Sequence, residues 1–101
     1  MLIRQGDLIL RRIPGQADMK KSEVVTLAVG EESGHSHVTD GFIARKPVEG
    51  LPGLLHVQAP TTLWVGGQSW RHDEIKLTAG VYEFWVQREL SVDEDIQNVQ
   101  D

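Results

Sequence analysis

The chain has 101 residues, 15 Asp and Glu against 10 Lys and Arg, a net charge of −5, and no cysteine. That length makes one domain with its own core, and the lack of cysteine excludes a disulfide framework, a thiolate metal site and a cysteine nucleophile. The acidic excess lies wholly in residues 51–101, and no basic stripe exists to track a phosphate backbone, so nucleic acid and anionic membrane surfaces are disfavoured as partners.

Met1 leads into LIRQGDLIL, too polar for a secretory core, and no run reaches membrane-spanning length, so the reading is a cytoplasmic protein. Short apolar runs then recur between Gly and Pro punctuation, which is how an all-β chain reads. GDLILRRI (6–13) is the first predicted strand, stopped by Pro14-Gly15. EVVTLAVG (23–30) is rich in β-branched residues and is the second. HVTDGFIARK (37–46) gives one or two short strands, with a turn near Asp40-Gly41. LLHVQA (54–59) alternates, with Leu55, Val57 and Ala59 on one face and Leu54, His56 and Gln58 on the other. TTLWVG (61–66) and EIKLTAG (74–80) follow. VYEFWVQREL (81–90) is the longest, with Tyr82, Phe84 and Val86 opposing Glu83, Trp85 and Gln87.

About seven strands at this spacing predict an all-β domain over residues 1–90, a small β-sandwich or partly closed barrel. The tail changes period. Ser91 and Glu94 form a capping box, and Val92, Ile96 and Val99 share one helical face, so 91–101 is read as a short acidic C-terminal helix.

The chemistry concentrates in GEESGHSHVTDG (30–41). Residues two apart on an extended strand share a face, so His35 and His37 can present both rings to one ion. A third donor completes an ordinary set for zinc, iron or manganese. His72, in WRHDEIKL at the start of a predicted strand, is that third candidate. The same pattern also describes a polar, glycine-flanked loop with no site. His56 reads as a half-buried strand residue outside any site.

Glu83 and Trp85, opposite the Tyr82 face, are candidate ligand-binding residues: an oxygen donor and a ring that could stack on a ligand. Both sheet faces being covered is the other reading of Trp85. Gln87, Arg88 and Glu89 either fix the terminal helix or pair with Asp7. Gly66-Gly67 is a lone turn pair with no phosphate-binding pattern around it, and neither Ser36 nor Ser69 lies in a nucleophile elbow.

Gly34-His35-Ser36-His37 resembles the opening of the cupin metal motif, with His72 as the later histidine. The resemblance implies a small β-barrel with a three-histidine divalent-metal site. Where cupins place the motif's glutamate, this chain has Gly41 and Phe42. The chain also resembles a group of short bacterial and phage-type proteins of uncharacterised activity. Three segments carry that likeness: Arg4-Gln5-Gly6-Asp7, Gly34 to His37, and His72 to Glu89.

The expected function is binding of a small ligand or divalent metal at His35, His37 and His72, with any catalysis metal-assisted. The rival expectation is a non-enzymatic, self-associating interaction domain. A homodimer is expected, formed through the strand 81–90 if that strand lies at an edge with Trp85 outward.

Overall fold

The computed structural model describes residues 2–18, 20–29, 36–66 and 74–87. They form eight strands: β1 (Leu2–Gln5), β2 (Leu8–Ile13), β3 (Glu23–Val29), β4 (Ser36–Arg45), β5 (Gly53–Val57), β6 (Thr61–Gly66), β7 (Ile75–Leu77) and β8 (Gly80–Val86). Hydrogen bonding follows the path β1-β2-β8-β5-β4-β6-β7, with β3 paired to β4 beside it. All the pairings are antiparallel. The result is an all-β, barrel-like sheet that nearly closes. The predicted tail helix, 91–101, lies outside the described residues.

Strand β4 joins the two halves of the sheet. Its first residues pair with β3 on one side and β6 on the other, and its last residues, from Phe42 on, pair with β5. Bulges mark the changes of direction: the register slips between Thr26 and Ala28 in β3, and between Ile43 and Arg45 in β4. Extra residues of this kind bend a strand and raise its twist, which is how a small sheet curls on itself.

The alternation in the sequence reads correctly along β5 and β8. Leu55 and Val57 are fully buried, as are Phe84 and all but 1% of Tyr82, with Leu8, Leu10, Leu63 and Leu77 around them. Each large side chain buried here contributes about 1.5–3 kcal/mol relative to exposure.

Four expectations are corrected. The first strand does not begin at Gly6: Gln5 pairs with Leu8, so Gly6 and Asp7 are a two-residue hairpin turn and an additional strand, β1, precedes it. Of the one or two strands expected over 37–46 there is one, Ser36–Arg45, and Asp40-Gly41 inside it is no turn. Gly41 is there because β4 runs against β5: a Cβ on it would lie 2.8 Å from the His56 carbonyl oxygen. Ala59 lies beyond β5 and is exposed. Of the two readings of Trp85, the covered one holds. The residue is only 3% exposed and packs with Ile9, so both faces of β8 are covered. Strand β8 also lies between β2 and β5, so the edge position that a Trp85-mediated dimer requires is not met.

Candidate functional site

The seam where the sheet fails to close positions the site. Strand β1 ends one side of the path and β7, paired with β6, ends the other, with no backbone ladder from β1 to either among the described residues. Side chains bridge instead. Gln5, the last residue of β1 and 2% exposed, donates from Nε2 to the Leu63 carbonyl of β6 at 3.1 Å. Its Oε1 faces Nδ1 of His37, on β4, at 2.8 Å. One residue pair further along β4, the buried Thr39 hydroxyl donates to the Thr62 carbonyl at 2.9 Å. His37, Thr39 and Gly41 thus line the inner face of β4 by simple alternation.

This network fixes which nitrogen of the His37 ring donates inward. A carbonyl accepts only, so the Leu63 bond orients the Gln5 amide with its nitrogen toward β6. The oxygen turned to His37 also accepts only, so Nδ1 carries the proton and donates. The other nitrogen, Nε2, points at the hairpin turn, with the Asp7 carboxylate oxygen 3.9 Å away. The His37 side chain is 7% exposed and that of Asp7 40%, so the imidazole is held inside while the carboxylate opens to solvent.

The turn is built to admit the ring. Gly6 has φ +63°, and Asp7, like every non-glycine residue described, has a negative φ, the signature of a type II′ hairpin with glycine first. The His37 ring lies over this glycine, its Cε1 3.4 Å from where a Cβ would stand. The Asp7 carbonyl accepts from the backbone N–H of Gln87 at 2.9 Å, tying the turn to the end of β8. Arg4 donates to the Gln87 side-chain oxygen at 2.9 Å. The anticipated link between Gln87 and Asp7 therefore exists through the backbone.

Of the three predicted metal ligands, the described residues include only His37. His35 and His72 lie outside them, as do Arg88 and Glu89. The described chain resumes at Glu74, just ahead of β7, where Ile75 pairs with Leu63, the residue bonded to Gln5; β4 begins at Ser36, directly after His35. Among the described residues no group of three His, Asp or Glu side chains is gathered for a metal ion.

The other candidates sit elsewhere. Glu83 is half-buried and accepts from Arg11, whose Nε approaches at 3.0 Å and whose guanidinium also lies over the Trp85 ring. His56 is on β5, and its Nδ1 accepts from the Asp18 backbone N–H at 2.8 Å, fastening the β2–β3 connection. Gln5 and Asp7 were not singled out as site residues. Their signal was the Arg-Gln-Gly-Asp segment itself, a polar run whose meaning depends on the seam.

A family model described as a domain of unknown function, DUF8820, matches residues 4–87, and the chain belongs to that family. The matched span opens at Arg4 and closes at Gln87, the two residues that hydrogen-bond across the site. No curated protein matches the chain, and no solved structure does.

Proposed function

We propose that the protein binds a divalent metal ion, and through it a small ligand, at the mouth of the seam. His37 Nε2 and the Asp7 carboxylate are two of the donors, and His35 and His72 supply the rest. The observation that carries this reading is the fixed tautomer of His37. An imidazole that donates from Nδ1 to a buried amide oxygen and turns Nε2 toward a carboxylate has the outer-shell support usual for a metal-bound histidine. The spacing fits as well. Two donors each about 2.1 Å from an ion lie at most about 4.2 Å apart, and Nε2 and the carboxylate oxygen are 3.9 Å apart.

Zinc, iron and manganese are the metals this nitrogen and oxygen set suits. The exposed side of Asp7 leaves room for a ligand to reach the ion, which would polarise a bound oxygen or activate water. The reading from another class, a metal-free interaction domain, makes His37 a structural stitch for the seam, a role its bond to Gln5 would also serve.

Metal content after purification without a histidine tag, followed by calorimetric titration with zinc, separates the two. One equivalent of metal is expected, with affinity falling at least about tenfold in Asp7→Asn and in His72→Ala. Asp7 is on the hairpin turn and holds β8 through its backbone, so Asp7→Asn is expected to fold, which circular dichroism checks. No binding by the unaltered protein, or binding untouched by both substitutions, overturns the proposal.

A further inference from the structure

The end of the barrel away from the Gly6-Asp7 turn holds a cleft of its own. Leu8, Leu10 and Arg12 alternate onto the inner face of β2. The first two are fully buried, and Arg12, about 13 Å beyond Leu8 along the strand, is exposed at the rim. There β2 runs beside the start of β8, and β8 beside the end of β5. A cleft of about 250 Å³ lies between this corner of the sheet and the connection that follows β2. Val57, Ala79 and Gly80 line it from the sheet, and Gly15, Gln16 and Ala17 from the connection.

Side chains hold its two sides apart. The Asp18 N–H donates to His56 Nδ1 at 2.8 Å, and Gln58 Nε2 donates to the carbonyls of Asp18 and Lys20, which fastens the connection to the end of β5. Opposite, Arg12 Nη2 donates to the Ala79 carbonyl at 2.8 Å. Its guanidinium lies over Gly80, where a Cβ would stand 2.5 Å from Nε, so only glycine leaves it this place.

A guanidinium carries five N–H donors, and the bond to Ala79 uses one. Arg12 has no ion pair among the described residues, whereas Arg11, on the other face of β2, is paired with Glu83. No acidic side chain lines the cleft, and beside the two glutamines its wall is alanine, glycine and valine. A planar cationic fork next to small apolar groups matches a carboxylate carried on a short hydrocarbon. A phosphate calls for more charge than one guanidinium supplies, and no lysine or second arginine lines the cleft.

We propose that this cleft binds a small monocarboxylate, with its charged group on Arg12 and its apolar body against Val57 and Ala17. The site shares no residue with the metal reading and is independent of it. Its volume is just under the roughly 300–1,000 Å³ of sites for drug-sized molecules, so the ligand is small. Arg12 is exposed and its charge is screened by solvent, so the dissociation constant is about millimolar.

Titration of the isotope-labelled full chain with sodium butyrate at constant ionic strength, followed by NMR, tests the proposal. The expected result is saturating shifts of the Arg12 Nε–H and of the Gly15, Gln16, Ala17 and Gly80 amides. Butyramide, of the same shape but uncharged, should leave those signals in place. Arg12→Gln removes the fork and Ala17→Leu fills the cleft without touching it; each should weaken butyrate binding at least about tenfold. Unchanged amide signals in β4 and β6 check that both variants fold. No saturation up to about 50 mM overturns the proposal, as does an equal response to butyramide, tighter binding of inorganic phosphate, or an affinity that neither substitution lowers.

Discussion

Replacing Gln5 by Leu tests whether the seam is closed as described. The substitution keeps a side chain of similar bulk while removing two hydrogen bonds at once. The bond to the Leu63 carbonyl contributes about 1 kcal/mol, and the Nδ1–H of the buried His37 loses its acceptor at a cost of about 1–3 kcal/mol. Leucine returns part of this through apolar burial, leaving a net loss of ~2–3 kcal/mol. For a domain of this size that lowers the melting temperature by about 10–20 °C. Thermal unfolding followed by circular dichroism gives the magnitude, and ring nitrogen shifts by NMR report the His37 tautomer. In the unaltered protein Nδ1 should carry the proton. A melting temperature within ~3 °C of the original, with the ring nitrogens unchanged, would refute the network and the site built on it.

Two further perturbations probe the frame around the site. Gly41→Ala forces a methyl against the His56 carbonyl, a backbone atom that cannot move aside, and should cost about 1–3 kcal/mol despite alanine's better strand entropy; urea unfolding measures it. His56→Phe removes the acceptor for the Asp18 N–H, so amide exchange at Asp18 should quicken by about fivefold while β8 amides keep their protection; equal rates would show that the bond does not hold the connection.

The fold was legible where a two-residue period controls burial. Leu55 and Val57, or Tyr82, Phe84 and Val86, announce their inner face locally, and the pleat obeys. It was illegible where a neighbour distant in sequence decides. Gly41 looks like a turn because nothing in its own segment reveals that the backbone of β5 passes within van der Waals contact. The segment of Trp85 leaves exposed and covered both open, because its strand neighbours on that face, Glu83 and Gln87, are polar; Ile9 of the adjacent strand, which shares its burial, decides for covered. Gln5 reads as part of a polar turn, although it is among the most buried polar groups described. His37 could be picked out by its spacing from His35, but not its ring orientation, which comes from β1 and β6.

The failure of the sheet to close and the presence of a candidate site are one fact. A closed barrel would join β1, the first strand of the path, to β7, its last, by backbone bonds. At this seam the Leu63 carbonyl instead takes a side-chain donor, and the reaching group must be polar, buried and able to donate. A primary amide meets that need and brings an acceptor oxygen with it, which in a dry interior requires a donor of its own. His37 provides one from Nδ1, and the geometry of imidazole then directs Nε2 away from the core, toward the hairpin turn that β1 and β2 form. That turn needs glycine at its first position for backbone reasons, and the same missing Cβ gives the ring its place. Glutamate at position 5 would keep the acceptor but lose the donor to Leu63, and lysine would do the reverse. Of these three side chains only the amide bridges the seam and orients the imidazole together, so the closure of the fold and the aim of His37 at Asp7 rest on the same side chain.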